Sequence, residues 1–483
     1  MPRETATGHL AEDSAPFDEL YPGLARARKK EPEFVAACEE AFTIARRFRH
    51  EVVEPRALEI DRRAMEDPTF VPEDILSAAC RYRLFSQGFP KMLGGQGFPF
   101  GAGLLACEEI AAGCLGIANL IYVNLLALSC VAATLNMRWI TECADIVCSS
   151  EAAGRPRLLS TGITEPGAGS DVEDDELVNH ADLCCRARQV SGGYVLNGRK
   201  VFISNGSVAD THVVLMPLDP RRPSETTHVF IVRTGSPGFS IGRVERKMGQ
   251  KACQAAELVF EECFVPEDHM ISPESVYLRG IDLVLAATRG GVGAFGAGVA
   301  RGAYERALHY CKTHSLAGKR MIEHQWVQFK LTTMLRNVLM ARAAYIEAML
   351  ANDQFGLMGL MRQPILLWMD ALLPSRVTST QRFRNLLSSR HASALMQRAV
   401  STITRSAMAI GSRTGDAAKV LGTDLGVENC YLAIDLMGRD GIRHDCGMEK
   451  LYRDAKLLQI YEGTNQINTR DIYKCTIGRP SYA

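Results

Sequence analysis

The chain reads as an α+β protein: an N-terminal α-helical domain, a middle antiparallel β domain and a C-terminal helical bundle. Three observations predict this. Apolar residues recur at three- and four-residue spacing from about residue 31 to 157. From 158 to 275 the period falls to two, in short runs bounded by turn residues. From 276 to 483 the helical period returns. A chain of 483 residues can bury a large core and build more than one domain.

Residues 1–30 are polar and read as a partly disordered segment. "EFVAACEEAFTIARRFRHEVVEPRALEI" (33–60) has the amphipathic helical pattern. The Gly/Pro-rich "FPKMLGGQGFPFG" is a loop. "LLACEEIAAGCLGIANLIYVNLLALSCVAATL" is apolar nearly all round, which predicts a central buried helix or helix pair. The runs "RLLSTGIT", "GGYVLNGRKVFISN", "DTHVVLMPL", "THVFIVRT" and "AAELVFEECFV" predict strands, with Asn197-Gly198 as a hairpin turn. Helices are expected over 281–314, 322–352 and 391–411.

Charge and cysteine usage exclude some classes. Fifty-five basic and 55 acidic residues balance, with no dense basic run, so nucleic acid is not the expected partner. Fifteen cysteines without a CxxC, two of them adjacent at 184 and 185, point to a reducing compartment and to cysteine as a small core residue. No Cys/His set has ligand spacing, so no metal is expected. The N-terminus lacks a signal or transit pattern, and no run of apolar residues is long enough to span a membrane. The expected location is cytoplasmic.

Three segments carry candidate chemistry. In "TGITEPGAGSDV" (161–172), Pro166-Gly167 turns the chain and Ser170 offers a hydroxyl to a ligand. Glycine spacing alone favours an ordinary turn there. "NGRKVFISNG" (197–206) sets Phe202 and Ser204 on one strand face, where Phe202 is a core residue or packs on a flat ring. In "RDAKLLQIYEGTNQINTRDI" (453–472), Leu457, Leu458 and Tyr461 face a core, Gly463 stops the helix and Thr464 caps the next. Glu462 falls at that junction, shielded by Ile460, Tyr461 and Ile467. A carboxylate against apolar surface has a raised pKa, which suits a general base.

With "KMGQKACQAAELVFEECFVP" (247–266), these segments resemble the acyl-CoA dehydrogenases in order and placement, over roughly residues 30 to 475. The resemblance implies a C-terminal four-helix bundle, FAD, and a homotetramer or homodimer. It implies α,β-dehydrogenation of an acyl-CoA thioester, with Glu462 as the base and electron-transfer flavoprotein or a similar acceptor as partner. Enoyl-CoA reduction, an oxidase, and a non-dehydrogenating binding protein are the alternatives. By resemblance Ile163, Thr164, Ser170, Phe202, Ile203, Ser204, Gln325, Thr464 and Gln466 contact FAD, and Ser170, Arg289, Tyr461 and Gly463 the substrate. Some relatives carry the base near Arg289, but Ala286 and Ala287 cannot act as one. Bulky residues around Leu115, Ile117, Asn119 and Tyr122 imply a short or compact acyl group.

Two segments depart from the family. His314 and Ala317 stand where relatives have an arginine and a phenylalanine for a neighbour's FAD, and Asp435, Arg439 and Asp440 alter a second such segment. Arg320 or Arg439 is the expected replacement. Residues 353–405 read as an insertion between bundle helices, covering subunit surface or extending an interface.

Overall fold

The computed structural model describes residues 15–278, 280–357, 373, 375–378, 380–400 and 404–478. The N-terminal helices are α1 (Pro32–Phe48), α2 (Glu54–Glu66), α3 (Glu73–Arg81), α4 (Phe100–Gly113), α5 (Leu115–Tyr122), α6 (Asn124–Ala133) and α7 (Met137–Ala152). Of the polar start, residues 17–27 are not a free segment. Phe17, Tyr21 and Leu24 recur at helical spacing and are buried, with the Arg342 guanidinium 4.8 Å from the Tyr21 ring centroid. Three apolar side chains suffice to dock this short stretch.

The run expected to be a central buried helix or helix pair is three helices, α4, α5 and α6, broken at Cys114 and Val123, and the central α4 carries two buried glutamates. Arg342 and Arg301 reach Glu108 at 2.6 and 3.3 Å, while Arg301 and Arg49 reach Glu109 at 2.7 and 3.3 Å. Buried carboxylates persist only when paired in this way.

The middle domain has seven main strands: β1 (Leu159–Gly162), β2 (Arg186–Val190), β3 (Gly193–Ser204), β4 (Thr211–Pro217), β5 (Thr227–Arg233), β6 (Phe239–Val244) and β7 (Ala255–Pro266). They form sheets of order β1-β4-β5 and β2-β3-β7-β6, antiparallel except for the β1–β4 pair. Asn197-Gly198 is not the hairpin turn. β3 runs straight through it, and the β2–β3 turn falls at Ser191-Gly192. Gly198 (φ +123°) sits at a shift in the β3–β7 register, where an added Cβ would lie 2.6 Å from the Cys185 Cα. The glycine serves a bulge, and Asn197 ties that bulge to Glu262 across the sheet.

The bundle is built on α8 (Gly280–Thr313) and α9 (Gln325–Phe355), followed by the shorter α10 (Gln381–Leu387) and α11 (Arg390–Val400) and by α12 (Arg405–Met437) and α13 (Met448–Leu458). A last helix, α14 (Asn465–Tyr473), follows. The single helix expected over 391–411 is therefore two, α11 and the start of α12, with residues 401–403 outside the described residues. α8 packs against α4 through glycines. A Cβ on Gly298 or Gly302 would lie 2.4 or 2.3 Å from the carbonyl oxygens of Glu108 and Ala112. The described part of the segment expected as an insertion folds back on its own chain. Arg384 pairs with Asp145 of α7 at 2.7 Å, and the Met137 N–H donates to Ser393 Oγ at 3.1 Å. Most of its Met/Leu-rich half, 358–372, lies outside the described residues. The apolar stretches Leu115–Ala133 and Gly280–Thr313 have span-like length and hydropathy, but 72% and 89% of those windows are buried inside the protein.

Candidate active site

Glu462 lies between α13 and α14, where the chain reverses through two left-handed residues, Glu462 (φ +54°) and Gly463 (φ +75°). A glutamate in that region costs about 1–3 kcal/mol, so the surroundings must hold it. Arg289 Nε and Asn468 Nδ2 both donate to its carbonyl oxygen at 3.2 Å. Lys419 Nζ donates to the Gly463 carbonyl at 2.5 Å, and the Thr464 N–H donates to Ser170 Oγ at 3.0 Å. Thr464 caps α14 by accepting from the Ile467 N–H.

Among the described residues the Glu462 carboxylate accepts one hydrogen bond, from Thr288 Oγ1 of α8 at 2.9 Å. Burial, reinforced by the charge of Glu173, pushes its pKa up to about 7, while Thr288, Arg289 and Lys419 pull the other way. The expected shield is only partly in place. Ile467 is buried and Tyr461 half-buried, but Ile460 is 62% exposed. The shielding comes from α8, which packs over the junction. Changing Thr288 to Val removes a bond that favours the charged form. The pKa read from the pH dependence of kcat/KM should then rise by about one unit.

Arg289 is corrected by the structure. Rather than facing a substrate, its guanidinium is 2% exposed and meets Asp416, Asp471 and Glu173 at 2.5, 2.9 and 3.0 Å. It is a positioning residue that fixes the backbone of Glu462.

All three domains wall a cavity of about 160 Å³ beside Glu462. Asn119, Tyr122 and Ser129 come from α5 and α6, and Leu285, Thr288 and Phe295 from α8. Thr161, Ile163, Thr164, Phe202, Ile203 and Ser204 come from the β domain, and Tyr461 lies beside Glu462. Leu115 and Ile117 are buried but do not line it. Ser170, Gly463 and Thr464 stand behind the Glu462 turn rather than in the cavity wall. Gln466 is exposed on α14, and Gln325 is exposed at the start of α9, near the Ser315–Arg320 hairpin. Neither reaches this cavity.

Phe202 is not a core residue. It is 60% exposed, with φ +59° at a second shift in the β3 register. A bulge re-aims a side chain, and here it turns a ring to the cavity. The Thr161 hydroxyl is buried without a hydrogen-bond partner among the described residues. A flat ligand with polar edges, such as a flavin ring, fits that combination of apolar face and orphaned hydroxyl.

Three family models match the chain: the acyl-CoA dehydrogenase middle domain at residues 160–263, its C-terminal domain at 280–361 and 375–476, and its N-terminal domain at 38–136. The chain belongs to the acyl-CoA dehydrogenase family. It is thus an oxidoreductase of a FAD-dependent family that acts on acyl-CoA. It is 26% identical to the NADH-dependent acryloyl-CoA reductase of Anaerotignum propionicum, over 92% of this chain and 96% of that protein. The fold matches the butyryl-CoA dehydrogenase of Megasphaera elsdenii with a TM-score of 0.70 at 23% identity, over 90% and 97% of the two chains. A structure described as the electron transferring flavoprotein of Acidaminococcus fermentans matches with a TM-score of 0.73 at 24% identity, over 92% and 98%.

At three of the positions read in the sequence as departures from the acyl-CoA dehydrogenase pattern, His314, Asp435 and Asp440, the side chains are engaged within the chain. The His314 ring stacks on Tyr310 at 3.7 Å, Tyr310 donates to Asp440 at 3.0 Å, and Asp435 pairs with Lys330. Arg320 pairs with Glu323 at 2.9 Å, and Arg439 is exposed. Sequence reasoning missed Thr288, Glu173 and Lys419. Thr288 stands one residue beyond the alanines weighed as alternative base positions, and Glu173 three beyond Ser170.

Proposed function

We propose that the protein removes hydrogen from the α and β carbons of a short or compact acyl-CoA thioester, with Glu462 as the α-proton base. The observation that carries this reading is the carboxylate itself: shielded, poised near neutral pH, and facing a cavity to which every domain contributes. Thr161, Ile163, Thr164, Phe202 and Ser204 are assigned to FAD, which when bound supplies the acceptor for the β-hydride. Glu462 takes the α-proton, and its own backbone N–H is assigned to the thioester oxygen as that oxygen gains charge. The left-handed turn, held by Arg289, Asn468 and Lys419, fixes the base against the substrate.

Tyr122 and Phe295 on the small cavity support a short acyl chain. A second cavity of about 550 Å³, lined in part by Cys130, Ile281 and Val284, lies along the same α6 and α8 and offers room for the CoA portion. The similarity to a structure described as an electron transferring flavoprotein supports such a protein as electron acceptor. The similarity to an acryloyl-CoA reductase supports a second reading, the reverse reaction on an enoyl-CoA. We assign the protein to the cytoplasm, in keeping with its fifteen free cysteines.

Trp326, Phe329 and Met340 leave one side of α9 apolar and 43–65% exposed, and a second copy of the chain is the assigned cover. Phe329→Asp should yield a smaller species by light scattering. Turnover with an artificial electron acceptor, across thioesters from butyryl-CoA to palmitoyl-CoA, tests the function. Butyryl-CoA should be among the best substrates, and activity confined to palmitoyl-CoA would reject the assignment of chain length.

A further inference from the structure

The β2 entry places two adjacent cysteines behind the strand end that faces the cavity. Glu165 follows Thr164 directly, and its carboxylate is fully buried. It accepts from the N–H groups of Cys184 and Cys185 at 2.6 and 2.9 Å and from Lys200 Nζ at 2.7 Å. Burial opposes its charge, but Lys200 and the two N–H groups hold it ionised. Lys200 also donates to the Ile163 carbonyl at 2.8 Å, and the Val201 N–H donates to the Thr164 carbonyl at 2.9 Å. Glu165 thus joins the cysteine pair to Ile163 and Thr164 of the cavity wall.

The two sulfurs are held close. Both lie on the Arg199 carbonyl oxygen, at 3.8 Å for Cys184 and 3.2 Å for Cys185, where the Gly198 bulge makes room for the Cys185 sulfur. The Sγ atoms and a Glu165 oxygen are all within 4.8 Å of one another. The carboxylate is already occupied by Lys200 and two amides, so the free chemistry belongs to the thiols. Cys184 is exposed and Cys185 buried. The neighbouring thiol pulls Cys184 down to about 7, against its burial, while the same pairing, with burial, pushes Cys185 up. Such asymmetry gives one attacking thiolate and one resolving thiol.

We infer that Cys184 and Cys185 are an oxidation site for hydrogen peroxide, closing to a vicinal disulfide that loosens the cavity wall through Glu165. The Cys184 thiolate attacks peroxide, an S–O bond forms, the O–O bond breaks and hydroxide leaves, to be protonated to water. Cys184 becomes a sulfenic acid, oxidised by two electrons. The Cys185 thiol then attacks that sulfur, the S–S bond forms, the S–O bond breaks, and its proton leaves with the oxygen as water. The sum is two thiols and one peroxide giving one disulfide and two waters. The ring so closed spans the 184–185 peptide, whose N–H is one of the two amides on Glu165. Turning that peptide removes a bond from a buried carboxylate, and Ile163 and Thr164 lose their anchor.

The inference concerns thiols and stands apart from the proposed reaction; only its second readout rests on bound flavin. The purified holoenzyme is treated with hydrogen peroxide, blocked with N-ethylmaleimide, and mapped by mass spectrometry. The 184–185 peptide should lose two hydrogens, take up no maleimide, and regain both thiols with dithiothreitol. The flavin absorption band should shift on oxidation and return on reduction. Cys184→Ser should keep basal turnover, form no internal disulfide and show no shift. A Cys184 that advances to sulfinic acid without linking to Cys185 would overturn the site. A flavin shift that persists in Cys184→Ser would overturn the coupling.

Discussion

Glu462→Gln should bind acyl-CoA but turn it over about 10²- to 10⁴-fold more slowly, the range lost with a positioned general base. Glutamine has the same shape, can still accept from Thr288, and leaves the backbone contacts of Arg289, Asn468 and Lys419 intact. Exchange of the substrate α-proton with deuterated solvent should stop as well, because no group remains to take it. In the parent protein kcat/KM should rise with pH through about 7, as the carboxylate loses its proton. The same shift has a stability consequence. The folded-state pKa is raised above its ordinary 4.5, so the unfolded chain releases this proton first. The contribution of Glu462 to stability is complete below about pH 4.5 and is lost as pH rises through 7. Glu462→Gln should therefore be more stable than the parent at pH 8, by on the order of 2 kcal/mol, and no more stable near pH 4. Chemical denaturation at the two pH values checks it.

Arg289→Met should lower stability by about 3–5 kcal/mol. It strips the cation from Asp416, Asp471 and Glu173 together, and burial already pushes the pKa of Asp416 up to about 7 with that cation in place. It also removes a donor from the Glu462 carbonyl, so the turn that aims the base relaxes. Activity should fall more than the lost folded fraction explains. Arg289→Lys keeps the charge but not the fork of donors, and should recover part of the stability with less of the activity. Denaturation curves and kcat measured on the folded fraction separate the two effects.

The parts legible in sequence share a local cause. Glu462 could be found because Thr464 caps α14 just after it, a cap the structure repeats; α13 itself ends at Leu458, and Gly463 serves the left-handed turn rather than stopping that helix. The three zones followed from hydrophobic period alone. Longer-range facts stayed hidden. The partners of Arg289 come from residues 173, 416 and 471, three segments with no sequence signal joining them. Thr288 is an ordinary helical hydroxyl until the Glu462 turn is packed over it. Asn197-Gly198 misled because the left-handed freedom of glycine serves a bulge as well as a turn. Sequence leaves Phe202 open between a core place and a flat ring, because its exposure follows from a positive φ that a phenylalanine in a strand does not advertise.

The most direct test of Glu462 as the base of an acyl-CoA dehydrogenase is an oxygen-free titration of the FAD-loaded protein with butyryl-CoA, followed in the visible. The flavin band should bleach in the parent protein and persist in Glu462→Gln, with both proteins binding the thioester. Equal bleaching in the two proteins would contradict the role of Glu462, and failure of the parent to take up FAD would contradict the flavin site at Thr161 and Phe202.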